Sequence, residues 1–243
     1  MRAGVLDHLE ELRWRLLASL AAVGIVTLIA TFFSKPLLEF LISPLKNLGD
    51  YTLYFHSPYE GFLTYFKVAL LSGVIAASPV IFTELWLFVV PALHQRERKT
   101  IAILVAASVA LFLMGAALAF WVIIPWSLQF FLSFQSDSLR PILGVGPYLS
   151  FLVVMILLTG AIFDLPVVLL GLVGAGVLDA PVLRKARRAV IVFVFILTAI
   201  LTPTTDPFTQ IFLTVPVLLL YEGSILIAGR MKKGKEFESS LRG

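Results

Sequence analysis

The chain has 243 residues, of which 59% are hydrophobic and only 14% charged, and its mean hydropathy is +0.98. A soluble domain is about one-quarter charged, so this composition excludes an ordinary water-soluble fold and predicts a membrane protein. The absence of cysteine excludes disulfides, thiolate metal sites and cysteine nucleophiles. The net charge of +4 comes from basic residues spread over several segments, so a nucleic-acid surface is not expected.

Six apolar stretches divide the chain, and they are its predicted membrane spans. They cover roughly residues 16–33, 68–93, 101–126, 148–174, 189–202 and 208–228. If the segments between them alternate across the membrane, fifteen of the nineteen Lys and Arg residues fall on one side. Because cytoplasmic loops carry the Lys/Arg excess, both termini are predicted to be cytoplasmic. The expected fold is a single all-α integral membrane domain over residues 1–243, with six transmembrane helices.

The first predicted element is an amphipathic helix, VLDHLEELRWRLL, that runs into the first span. Leu9, Leu12 and Leu16 share one face, whereas Glu11 and Arg15 stand on the opposite face. Glu11 and Arg15 form an i, i+4 pair, which stabilises its own helix by about 0.3 kcal/mol and can account for both residues structurally. Acids on the basic side of a membrane protein also offer sites for cationic ligands, so both interpretations stay open.

Two outer segments, residues 34–67 and 127–147, are long enough to form a structured periplasmic cap. The first is predicted to be helical around Pro36–Ile42 and Pro58–Lys67, with a turn at Asn47–Asp50. The fifth apolar stretch is short, about 14 residues or 21 Å, compared with a hydrocarbon core of about 30 Å. A span of this length predicts local thinning of the bilayer or recruitment of a partner.

Three acids lie within the predicted spans. Asp164 is in the interior of GAIFDLPVVLLG, where an acid costs about 2.5–3.5 kcal/mol. Such a residue commonly faces a cavity or a partner, and Pro166 loosens the helix beside it; the alternative is a protonated carboxyl group hydrogen-bonded to another helix. Glu84 lies in the inner half of the bilayer, with functional and structural roles equally supported. Glu222 is near the cytoplasmic end of its span and can snorkel to water, so a structural role is expected.

No motif of an enzyme is present: the chain lacks HExxH, Walker A and GxSxG sequences, and its three histidines are scattered. Catalytic residues, cofactors and metal ions are therefore not expected. Any work the protein performs must draw on a transmembrane gradient or on partner proteins. One hypothesis is a proton- or cation-coupled transporter of small solutes that uses Asp164 and Glu84, and another is a passive scaffold for membrane proteins.

Four segments, HLEELRWRLL, PVIFTELWLFVVPALHQRERK, FDLPV and LTPTTDPFTQ, follow one another in an order that resembles the TatC family. TatC is the polytopic core subunit of the twin-arginine protein translocase, and the resemblance covers nearly the whole chain. It implies a cupped bundle in the inner membrane with structured periplasmic loops and short fifth and sixth helices. It also implies binding of twin-arginine signal peptides of folded cargo at the cytoplasmic face. Oligomeric assembly with single-span subunits of the TatA and TatB types, and export driven by the proton-motive force, are further implications.

The resemblance assigns the acids that bind the two arginines to Glu11 and Glu97. A carboxylate accepts a planar guanidinium bidentately, which a lysine ammonium cannot reproduce. Glu10, beside Glu11, is a second candidate, and basic neighbours of Glu97 favour internal pairing of that acid. The other residues implied in the signal-peptide site are Leu9, Glu10, Arg13, Arg15, Phe88 and Arg98.

The resemblance also implies two places where partner subunits are contacted. Asp164 corresponds to an intramembrane acidic or amide position of the family on the concave side of the bundle, and Glu84 and Pro166 are predicted to contact a partner together with it. The positions implied for docking of a partner's transmembrane helix are Thr202, Pro203, Phe208 and Gln210.

Overall fold

The structure is a computed structural model that describes residues 2–89, 98–136, 141–174, 178, 180–201 and 207–241. The helices are α1 (Arg2–Thr31), α2 (Ser34–Lys46), α3 (Glu60–Val89), α4 (Arg98–Leu118), α5 (Ile124–Leu132), α6 (Val145–Phe163), α7 (Leu165–Gly174), α8 (Ala180–Leu201) and α9 (Pro207–Leu241). A π-helical turn, Ala119–Ile123, joins α4 to α5, and the two short strands are β1 (Leu53–Tyr54) and β2 (Leu143–Gly144). The nearly all-helical architecture confirms the predicted fold class, and the two strands are a small departure from it.

Several helical stretches in the described part of the chain are apolar enough for a bilayer. Four are long enough to cross it: His8–Thr31, Glu60–Val89, Ile101–Leu132 and Val145–Gly174. A shorter apolar stretch, Leu213–Gly229, lies in α9. These stretches include most of the first four predicted spans and much of the sixth, and they define a polytopic membrane protein.

The last two helices extend beyond the apolar stretches from which they were predicted. α8 has 22 residues and α9 has 35. The spans predicted at 189–202 and 208–228 mark only apolar parts, because α8 begins at Ala180 and contains the basic sequence 184–188, and α9 continues into the charged sequence 230–241. The fifth and sixth spans are therefore short only in their apolar parts, and the helices that contain them are longer.

The fourth predicted span is interrupted in the middle. α6 ends and α7 begins on either side of Asp164, which forms the turn between them. Pro166 has no backbone N–H, so one hydrogen bond of a continuous helix is lost there. The carbonyl of Asp164 instead accepts the N–H groups of Val167 at 3.0 Å and Val168 at 3.2 Å. The single helix predicted for 148–174 is thus corrected to two helices that meet at the acid.

α1 and α3 run antiparallel and form the most extensive helix–helix interface of the described chain. They pack tightly at Gly73, where an added Cβ would overlap the hydroxyl of the buried Thr27. Small residues allow membrane helices to approach closely in this way. The interface brings the first part of α1 beside the last turns of α3.

The two segments predicted to form a structured cap, residues 34–67 and 127–147, contact each other in the described part of the chain. α2 covers the first predicted helical patch, and turns follow it over residues 47–50. β1 and β2 pair in parallel, with Leu53 opposite Leu143. The carboxylate of Glu60, at the start of α3, accepts the N–H groups of His56 and, at 2.8 Å, Gly146. The hydrogen bond from Gly146 links the first turn of α3 to the first turn of α6.

Candidate functional site

The candidate site lies where the first part of α1 meets the last turns of α3, with Arg15 at its centre. Nε and Nη2 of Arg15 donate to Oε1 of Glu11 at 3.0 and 2.6 Å, and Nη1 donates to Oε2 of Glu84 at 3.2 Å. The side chains of Arg15, Glu11 and Glu84 are 22%, 34% and 25% exposed. The i, i+4 pair predicted in α1 is therefore present, and it has a third member from another helix.

The orientation of α1 explains why its polar face takes part in the site. Leu9, Leu12 and Leu16 are largely exposed, whereas Glu11 and Arg15 turn toward α3. In a bilayer an outward apolar face is covered by lipid chains, so this arrangement leaves the leucines in an apolar medium. The amphipathic pattern thus places Glu11 and Arg15 between the helices.

An aromatic pair lies beside the carboxylates. The rings of His8 and Phe88 stack with centroids 4.4 Å apart and an interplanar angle of 11°. Nδ1 of His8 is 3.7 Å from Oε2 of Glu11, which is too long for a hydrogen bond. An aromatic face at this position is suited to a guanidinium group, because the ring's negative face attracts cations.

The remaining residues predicted for the signal-peptide site are only partly described. Glu10 and Arg13 are exposed on α1. Arg98 is the first residue of α4, and its side chain is not described. Glu97 lies outside the described residues. The structure therefore brings Glu11, Arg15 and Phe88 to one place and says nothing of how Glu97 is arranged.

A second polar cluster surrounds Asp164, which is only 5% exposed. Nε1 of Trp86 donates to the Ser108 hydroxyl at 2.9 Å, and Ser108 lies beside the side chain of Asp164. Oδ1 of Asp164 is buried with no hydrogen-bond partner in the described part of the chain. The cluster places a hydroxyl group of another helix beside the acid, where the alternative interpretation of Asp164 needs one.

Sequence patterns singled out neither Trp86 nor Ser108. A signal was available, because the N–H of a tryptophan within an apolar span needs an acceptor, and acceptors within spans are few. The pattern could not say which hydroxyl on which helix would supply it. Pro166, also in the predicted intramembrane set, is buried in the first turn of α7.

Of the residues predicted to dock a partner helix, Gln210 is the one whose side chain is described. Its amide donates to the carbonyl of Phe195 at 2.8 Å, linking α9 to α8. Thr202 and Pro203 lie outside the described residues, and Phe208 is in α9 with its side chain not described.

Glu222 has the structural role that its sequence position predicts. Its Oε2 accepts from Nη2 of Arg187 at 2.6 Å, and the two side chains are 46% and 45% exposed. This ion pair joins α8 and α9.

The fold and the site define a multi-pass helical membrane protein whose first and third helices hold two carboxylates around a single arginine. The family model for the Sec-independent protein translocase protein TatC matches residues 7–216. The chain belongs to the TatC family.

Relatives and solved structures agree with this assignment. The chain is 38% identical over 242 residues to the Sec-independent protein translocase protein TatC of Magnetococcus marinus, covering 98% of this chain and 89% of the relative. It is 37% identical over 239 residues to the TatC of Aquifex aeolicus, covering 96% and 98%. A crystal structure described as the twin-arginine translocase receptor TatC superposes with a TM-score of 0.81 at 37% identity, over 91% of this chain and 99% of that one.

Membership of this family makes the chain a component of a Sec-independent protein translocase, which is a non-enzymatic membrane protein. The assignment therefore favours protein transport over the small-solute transporter and the passive scaffold.

Proposed function

We propose that the chain is the core and receptor subunit of a twin-arginine translocase, in which Glu11 and Glu97 each accept one guanidinium of a signal peptide's arginine pair. The observation that carries this proposal is the geometry of Glu11. Both bonds from Arg15 go to Oε1, and Oε2 has His8 only at 3.7 Å. A partly exposed carboxylate thus keeps an oxygen for an incoming donor.

The chemistry favours arginine over lysine at such a site. A guanidinium offers its N–H groups in a planar fork, so it forms charge-assisted hydrogen bonds of about 1.5–3 kcal/mol that an ammonium group matches poorly. Two adjacent arginines on one peptide make the second contact effectively intramolecular, which raises the affinity without any additional contact.

The same proposal includes the membrane arrangement and the partners. Six spans with both termini in the cytoplasm follow from the placement of fifteen of nineteen Lys and Arg residues on one side. That topology puts Glu11 at the cytoplasmic face of an inner membrane. Single-span subunits of the TatA and TatB types dock near Gln210 and the Asp164 region, and the proton-motive force drives the export of folded cargo.

The test is a titration of the purified chain with a peptide carrying Arg-Arg and with its Lys-Lys version. Wild type should prefer the Arg-Arg peptide, and Glu11→Ala or Glu97→Ala should each weaken binding about five- to a hundredfold, corresponding to about 1–3 kcal/mol. Affinity should also fall with added salt, because exposed charges are screened within about 8 Å at physiological ionic strength.

The matched control is Glu222→Ala, which also removes an ion-paired acid from a helix–helix contact. It should bind the Arg-Arg peptide like wild type. Unchanged binding in the Glu11→Ala, Glu97→Ala double variant would remove these residues from the site.

A further inference from the structure

Arg15 makes the candidate site a three-member cluster drawn from two helices. Its guanidinium donates three hydrogen bonds, two to Glu11 in its own helix and one to Glu84 in α3, which is 69 residues away in sequence. All three side chains are between one-fifth and about one-third exposed. The cluster is therefore partly shielded but still open to a ligand that arrives from outside the bundle.

The charges of the cluster do not balance. Two carboxylates surround one guanidinium, so with His8 neutral the cluster carries one net negative charge. A partly buried net charge is unfavourable unless it is paired, and one additional cation neutralises it. The cluster therefore matches one arginine of a signal peptide, not two.

The oxygens of the two acids show how that arginine is accepted. Arg15 contacts only Oε1 of Glu11 and only Oε2 of Glu84, so the other oxygen of each acid is not used by this guanidinium. Arg15 fixes where both carboxylates point, because its planar fork spans them. A second guanidinium beside the cluster would complete an alternating set of two acids and two bases.

We propose that Glu84 is an additional acceptor for the signal-peptide arginine that Glu11 binds, and that Arg15 is a positioning residue that orients both carboxylates and sets the site's net charge. This inference rests on the proposed function, whose acids are Glu11 and Glu97. It adds an acid from the interior of α3, and it gives Arg15 a role other than contact with the peptide.

The test compares four chains, wild type, Glu84→Gln, Arg15→Gln and the double variant, at about pH 8, where an ordinary imidazole is neutral. Each is titrated with the Arg-Arg and Lys-Lys peptides in the same detergent. Glu84→Gln removes the net negative charge and should weaken Arg-Arg binding about tenfold, the loss expected for one charged hydrogen bond. Arg15→Gln leaves Glu11 and Glu84 without the guanidinium that orients their carboxylates. It should therefore reduce the preference for the Arg-Arg over the Lys-Lys peptide about tenfold.

The double variant distinguishes recognition from simple support of the fold. It restores one net negative charge but still lacks the Glu84 carboxylate, so its affinity for the Arg-Arg peptide should recover only in part, to about threefold below wild type, while its selectivity stays low. Arg15→Lys keeps the charge and loses the fork, so it should retain affinity and lose selectivity. If Arg15 and Glu84 only held the helices together, the double variant would bind no better than either single variant.

The controls are Arg187→Gln and Glu222→Gln, which remove the partners of an ion pair between α8 and α9. Both should bind like wild type. A wild-type chain that binds the two peptides equally overturns the proposed function together with this inference. Suppose instead that the wild-type chain prefers the Arg-Arg peptide. Then the inference alone is overturned if Glu84→Gln binds that peptide as tightly as wild type, or if the double variant binds it no better than the single variants.

Discussion

The crossing of α1 and α3 at Gly73 limits the side-chain volume that this interface accepts, and Gly73→Ala measures that limit. Alanine is better than glycine in a helix by about 1 kcal/mol. At Gly73, however, the new Cβ would overlap Oγ1 of Thr27 and lie 3.1 Å from its Cα. Overpacking of this kind costs about 1–3 kcal/mol, so the substitution should lower the free energy of unfolding by up to about 2 kcal/mol.

Gly24→Ala in α1 is the matched control, because a Cβ at that position would meet nothing within 4 Å. It should leave the free energy of unfolding unchanged or raise it by up to about 1 kcal/mol. Denaturant unfolding in detergent, followed by far-ultraviolet circular dichroism, measures both variants. In a Thr27→Ala background the penalty of Gly73→Ala should shrink, since the overlapped hydroxyl is gone. Equal stability of Gly73→Ala and Gly24→Ala would refute the close crossing.

Asp164→Leu should be at least as stable as wild type in the same unfolding assay, because an intramembrane acid costs about 2.5–3.5 kcal/mol, yet it should impair cargo export, with Asp164→Asn milder. Full export by the leucine variant would contradict the proposed role. Reporters fused after Arg242 should be cytoplasmic and those inserted near Asn47 external, and an external carboxyl terminus would contradict the six-span topology. Glu60→Gln should destabilise the outer cap by about 1–3 kcal/mol, since an amide offers one acceptor oxygen where two N–H groups were bound, and faster amide exchange in residues 53–60 would measure it.

The parts of the fold that depend on local sequence were predictable. Apolar stretches and charge placement gave most of the spans, and the outer helix followed by the turn at Asn47–Asp50 was visible from its proline and glycine pattern. The lengths of α8 and α9 were not, because hydropathy locates the apolar part of a helix and is silent where the helix continues into charged sequence. Pro166 predicts a loosened helix beside Asp164 but not a break, since a proline in a membrane helix causes either a kink or a break depending on its neighbours.

The candidate site also has one part that the sequence predicts and one part that it does not. The Glu11–Arg15 pair follows from helical spacing within one segment. The contact of Arg15 with Glu84 depends on how α1 and α3 are rotated and aligned against each other, which no pattern within either helix specifies. The hydrogen bond between Trp86 and Ser108, and the position of Asp164 beside them, have the same origin, because three helices must be placed before these polar groups come together.

Because Trp86 donates a hydrogen bond to Ser108, its intrinsic fluorescence can report on this cluster. The chain has four tryptophans, and three of them, Trp14, Trp121 and Trp126, are 65%, 66% and 51% exposed, whereas Trp86 is 2% exposed. Replacing the three exposed indoles with phenylalanine leaves Trp86 as the single tryptophan, hydrogen-bonded to the Ser108 hydroxyl that lies beside the carboxyl group of Asp164. Its emission wavelength then follows the electric field of that carboxyl group, so a change in protonation or the arrival of another helix can be recorded from an unlabelled protein in a lipid membrane.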